Sequence, residues 1–233
     1  MTATEVMKQL EKMGSEQQRK TYARHGCTTP IFGVKIGDLK TIVKKVRGDT
    51  ALAKELYRTG NGDAMYLAGM IANGKEMTRA DLDNWARQAS WHMISGATVP
   101  SVAAEHPQGW QAAMKWIESS QENISVAGWT TLALIVASKD DTDLDLAGAE
   151  RLLERVAKEI HEAPNRTRYA MNSFVIAVGG YVKSLTRKAL ATAEKIRGVK
   201  VDMGDTACKV PAAADYIKKM NARGYKKRKT VKC

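Results

Sequence analysis

The sequence predicts an all-α fold, a solenoid of stacked antiparallel helix pairs, and three observations lead there. Strand-like alternation is nearly absent, whereas apolar residues recur at helical spacing along most of the chain. Gly, Pro, Asn and Asp interrupt that periodicity at short intervals, so the helices are short and closely connected. Successive helices arrive in pairs, without a dominant central helix to organise a bundle.

The elements follow in order. Residues 38–46 put Leu39, Ile42, Val43 and Val46 on one face and Lys40, Lys44 and Lys45 on the other. Thr50 is placed to cap a helix carrying Leu52, Leu56 and Tyr57. Residues 63–72 set Ala64, Leu67, Ala68 and Ile71 at core spacing. Thr78-Arg-Ala-Asp reads as a capping box opening a helix with Leu82, Trp85 and Ala89. Pro107 precedes a helix with Trp110, Ala113, Met114 and Ile117. Residues 123–137 are apolar nearly all round, which predicts burial on several sides. Residues 146–160 are amphipathic, with Leu152, Leu153, Val156 and Ile160 inward. Pro164 suits the first turn of a helix through Met171, Phe174, Val175 and Val178. Residues 186–196 form a helix stopped near Gly198, residues 199–201 look strand-like, and residues 211–222 form the last helix. The repeat matches no crisp TPR or ankyrin pattern, which leaves a degenerate HEAT-like one. The expected organisation is a helical-repeat domain over residues 1–198 and an extension, 199–233, with one helix and a basic tail.

Charge narrows the function. There are 37 basic and 25 acidic residues, a net +12, and such an excess points to a polyanionic partner. Eight of the cations fall after residue 217 with no acid among them, which leaves +4 for the rest. Further concentrations lie at Arg24, Lys35, Lys40, Lys44 and Lys45, and at Arg166, Arg168 and Lys183. With Lys226, Lys227, Arg228 and Lys229 of the tail, these are the candidate phosphate contacts to a duplex DNA backbone. No apolar run approaches a membrane span; the longest, near 132–137, is far too short. The start lacks a basic stretch followed by an apolar one, and three cysteines make an odd, sparse set. A cytoplasmic monomer without a cofactor is the expectation.

Motifs for other chemistry fail. Gly69-Met-Ile-Ala-Asn-Gly-Lys75 has most of a phosphate loop, but Glu76 stands where Ser or Thr would hold magnesium. Asp141-Thr-Asp-Leu-Asp145 begins like a calcium loop, yet Leu146 occupies its glycine position. His25, His92, His106 and His161 have no metal-ligand spacing, so no metal site is expected. Among the tryptophans, Trp85 and Trp129 read as core. Trp91 has two readings, an aromatic that stacks on a base or sugar and a wedge at a helix corner.

Several segments together resemble the bacterial alkylpurine DNA glycosylases built from HEAT-like repeats, the DNA alkylation repair family. Ile31-Phe-Gly-Val-Lys-Ile-Gly-Asp-Leu-Lys is similar to that family's entry into an early helix. Ala89-Ser-Trp-His with Val99-Pro100 resembles its central tryptophan segment, and Asn123-Ile-Ser-Val-Ala-Gly-Trp the helix after it. Pro164-Asn-Arg-Thr-Arg-Tyr-Ala-Met-Asn is similar to a later helix. The resemblance covers roughly residues 5–197. It implies a curved solenoid whose concave basic surface holds duplex DNA, and excision of N3- and N7-alkylated purines. Tryptophans would face the sugar, and an aspartate would stand near the anomeric carbon, where cleavage builds oxocarbenium charge. No metal or cofactor is implied.

Counting back from Pro100, the aspartate position falls on Gly96 and the tryptophan position on His92, one place from Trp91. The family's arginine falls near Gly128, beside Trp129. The candidate catalytic groups are therefore Trp91 and His92 facing sugar or base, Trp129 as a wall, and Glu105 or Asp63 as substitute carboxylates. The functional expectation is DNA binding, with excision of alkylated purines as its candidate chemistry. The alternative is a non-catalytic scaffold for an acidic protein segment or RNA.

Overall fold

The computed structural model describes residues 1–232, and among these it contains helices and no strands. The α-helices are α1 (Ala3–Met13), α2 (Glu16–Arg24), α3 (Ile36–Val46), α4 (Thr50–Arg58), α5 (Gly62–Ile71), α6 (Arg79–Gln88) and α7 (Val99–Ala103). They continue with α8 (Gly109–Trp116), α9 (Glu122–Ser138), α10 (Leu146–Glu159), α11 (Asn165–Tyr181), α12 (Thr186–Lys195) and α13 (Ala213–Asn221). A π-helical turn, Ile94–Thr98, runs into α7. The architecture is the HEAT-like solenoid that the periodicity predicts.

Two layers build it. α5, the π turn with α7, α9 and α11 pack side by side as a central row, and α4, α6, α8 and α12 back onto them. The row is apolar nearly all round: all ten residues of α5 and eleven of α9 are buried, which explains why neither has a polar face. The outer helices are amphipathic, with charges outward, as in α10 over Leu152, Leu153 and Val156. Two core clusters follow one another along the row, with Leu67, Leu82 and Ile94 in the first and Trp129, Leu132 and Phe174 in the second.

Two expectations are corrected and two features are added. Helices α1 and α2 precede those singled out above, each with a side-chain cap, Thr2 in a capping box and Ser15. Asp49 rather than Thr50 caps α4, and the Thr50 hydroxyl instead donates to Glu76 and accepts from the Asn73 amide. Val199–Val201 forms no strand, because no partner segment offers it a ladder. The helix of the extension packs onto the solenoid. Ile217 of α13 is fully buried against Gly179 of α11, in the same core cluster as Phe174. The capping box at Thr78 and the left-handed Gly198 after α12 are as expected.

Candidate functional site

A cleft of about 270 Å³ opens where the N-terminal ends of α9 and α11 meet the connection after α6. His25, Trp91, His92, Glu122, Asn123 and Arg166 line it. Each is positioned locally. The Ser90 hydroxyl lies 2.8 Å from that of Thr29, which ties the connection to the loop after α2. Trp91 donates its indole N–H to the His25 carbonyl at 3.3 Å and meets the Tyr22 ring edge-on at 5.2 Å. It is 5% exposed, so the structure favours the corner wedge over the free stacking surface. From that wedge, His92 follows with its ring at 74° to Trp91, half-buried in the cleft.

The cleft holds one cation, one carboxylate and a neutral imidazole. Burial first, then the Arg166 guanidinium and His25, push His92 down to about 4. It is therefore neutral at physiological pH, with one ring nitrogen donating and the other accepting. Arg166 stands in the first turn of α11, and its backbone N–H donates to Glu122 at 2.6 Å. Glu122 thereby caps α11 while occupying the first turn of α9, and both helices aim their positive dipole ends at the cleft. Asn123 donates to the carbonyls of Ala86 and Arg87, which locks α9 against the end of α6. The extension forms part of the rim: Asn165 is bonded in both directions to the backbone of Asp202. Gly204, at φ +76°, lies against the Arg24 carbonyl where no Cβ fits.

Of the five candidate catalytic residues, only Trp91 and His92 line the cleft, and the other three lie elsewhere. Trp129 is 1% exposed in the core, edge-on to Phe174 at 5.5 Å. Asp63 is buried and accepts from the backbone N–H groups of Phe32, Gly33 and Val34 at 2.7, 2.9 and 3.2 Å, so it pins the loop before α3. Its burial raises the carboxyl above the usual range, against those three donors. Glu105 accepts from the Gly74 N–H and pairs with Lys232 at 2.7 Å. At Gly96 an added Cβ would meet only Val126, at 3.7 Å, so the site has room for a side chain and simply has none. The arginine position near Gly128 is excluded sterically: a Cβ there would lie 2.8 Å from Ile117, against α8.

The basic residues divide likewise. Arg24, Lys35, Lys40, Lys44, Lys45 and Lys183 are exposed, and Lys35 lies beside Trp91 and His25 in an adjoining hollow. Arg166 belongs to the cleft and contacts Met203 Sδ at 3.5 Å, while Arg168 is half-buried with its Nε unpartnered. In the tail, Lys226, Arg228 and Lys229 are exposed, but Lys227 is not free. It pairs with Asp141 at 2.8 Å and donates to the Val136 carbonyl, which makes it an anchor rather than a phosphate contact. Glu122 carries no sequence signal, Asn123 enters only as the start of a resembling segment, and His25 only as a histidine without metal-ligand spacing. The solenoid brings His25 to the Glu122–Asn123 pair from a distant segment of the chain. Among the described residues no group of three or more His, Cys, Asp or Glu is placed to hold a metal. No helix there is long and apolar enough to cross a membrane.

Comparison with known proteins places this geometry. A family model described as DNA alkylation repair enzyme matches residues 6–216, and so runs into α13, beyond the 5–197 span of the resemblance. Two curated relatives, uncharacterized proteins of Listeria innocua and Listeria monocytogenes, are each 31% identical over 229 residues, 96% of this chain and 99% of theirs. A solved structure superposes with a TM-score of 0.91 at 36% identity, covering both chains completely. It is described as "a new family of proteins related to the HEAT-like repeat DNA glycosylases with affinity for branched DNA structures".

Proposed function

The chain belongs to the DNA alkylation repair enzyme family, and from that premise we propose that it binds branched or distorted duplex DNA without excising a base. The groove of the solenoid takes the duplex. Arg24, Lys35, Lys40, Lys44, Lys45, Arg166, Arg168 and Lys183 are its phosphate contacts, and the His92 cleft receives a phosphate or sugar at the junction. The protein acts as a cytoplasmic monomer and needs no cofactor for this.

The observation that carries the reading is the fate of the carboxylates. Glycosidic cleavage requires negative charge beside the sugar as oxocarbenium character builds. Here Gly96 stands at the aspartate position of the family resemblance, Asp63 is engaged by three backbone donors, Glu105 by Lys232, and Glu122 by the α11 terminus. What faces the cleft is Arg166, a neutral histidine, the N-terminus of α9, and Glu122 held against the N-terminus of α11. In that set the cation and the free helix end can hold phosphate. The affinity of the superposed structure for branched DNA supports the junction as the preferred form.

The test pairs binding with chemistry. A four-way junction should bind more tightly than a duplex of the same length and sequence. A duplex carrying N7-methylguanine or N3-methyladenine should show no base release above the spontaneous rate. Release by the wild-type protein would overturn the binding-only reading. Equal affinity for junction and duplex would overturn the preference for branches, and tighter binding of structured RNA or an acidic peptide would favour the scaffold alternative.

A further inference from the structure

The tail after α13 does not hang free. From α13 it passes Thr186, at the start of α12 and bonded to the end of α11, where the Tyr225 hydroxyl lies 3.3 Å from that of Thr186. It then crosses the end of α9, where the Arg228 N–H donates to the Ala137 carbonyl at 2.8 Å and Lys227 reaches Val136 and Asp141. It finishes at the ends of α7 and α5, where Lys232 pairs with Glu105 and donates to the Ala72 carbonyl. The strap therefore runs over the C-terminal ends of the central row. Those ends carry unpaired carbonyls and the negative poles of the helix dipoles. A cavity of about 170 Å³ lies beneath it, walled by Gly96, Met70 and Leu134.

We propose that this strap is a preorganised phosphate-binding element, in which Lys227 and Lys232 are anchors and Lys226, Arg228 and Lys229 grip a DNA backbone. The proposal rests on the DNA-binding reading above and extends it to a second surface, opposite the His92 cleft along the same helices. Lys226, Arg228 and Lys229 are exposed, with the anchor Lys227 between the first two, and Arg228 also borders the cavity beneath. A lid that competes with DNA would need a surface beneath it that attracts DNA. The strap covers Glu105, Asp141 and the carbonyls of the helix ends, which disfavour phosphate, and a mainly apolar cavity whose polar lining includes the hydroxyls of Thr98, Ser101 and Thr130. Covering them turns a phosphate-repelling edge into a basic one. One polyanion arm at the cleft and another at the strap is a geometry that a branched DNA satisfies.

The experiment sets charge against order. Glu105→Gln with Asp141→Asn keeps every cation of the tail and raises the net charge by two, but removes both counter-charges that hold the strap. A tail acting by charge alone, or as a lid, would then bind a four-way junction more tightly. The strap proposal expects binding weakened about threefold or more, with helicity and melting temperature retained. Lys226→Ala, Arg228→Ala and Lys229→Ala together keep the anchors, and should flatten the slope of log affinity against log salt by roughly 2.7, about 0.9 for each phosphate. Equal or tighter binding by the anchor variant, or an unchanged slope in the triple variant, would sink the strap. If the wild-type protein bound no DNA at any salt, the functional reading itself would fall, a result distinct from either.

Discussion

His92 shows how one side chain reports on its surroundings. Burial and the neighbouring Arg166 push it down to about 4, below its ordinary value of 6.5. The folded state thus binds fewer protons at this position than the unfolded chain between those two values. Stability contributed by neutral His92 is complete above pH 6.5 and is lost as pH falls toward 4. An NMR titration should find its midpoint near 4, and His92→Gln should remove part of the acid-side loss of stability. A midpoint at 6 or above would mean the ring is solvated and the cleft is built differently. Trp91 makes a related point. The sequence leaves it between a stacking surface and a corner wedge, and the donor bond to His25 that favours the wedge is a contact 66 residues away.

At the scale of elements, α9 and the π turn decide where side chains can stand. Gly128 lies where α9 touches α8, with Ile117 and the Ala113 carbonyl at 2.8–3.0 Å from an added Cβ. Gly128→Ala should therefore destabilise by about 1–3 kcal/mol in urea unfolding, because backbone must shift to admit the methyl. Gly96→Ala, with only Val126 at 3.7 Å, should be neutral or gain up to about 1 kcal/mol from helix propensity. Similar losses at the two sites would contradict this packing. The contrast also separates two kinds of glycine that the sequence presents identically, one required by close helix approach and one that leaves space. Gly69, in the failed phosphate loop, is of the first kind: it lies against Thr98, within α5.

Across the whole molecule, charge acts through its distribution. Net +12 concentrates at the tail, but the tail divides into anchors and outward cations, and Lys188 is likewise tied to Glu150 and Glu154. If the eight solenoid cations and the three of the strap all contact phosphate, the salt slope should approach roughly −10. Measured by fluorescence anisotropy, a slope near zero would remove nucleic acid as the partner. A slope near −9 would mean that most candidate cations are engaged.

The all-α class, the order and faces of most helices, the solenoid arrangement and the family were determined by the sequence alone. Helical periodicity is written within four residues of each position, so composition and spacing suffice to read it. The cleft and the strap were decided only by the tertiary structure. His25, His92, Glu122 and Arg166 come from four separate segments, and Lys232 meets Glu105 across 127 residues. A sequence counts carboxylates and lysines. Which of them face each other, and which remain free for DNA, follows from how the central row aligns its helix ends.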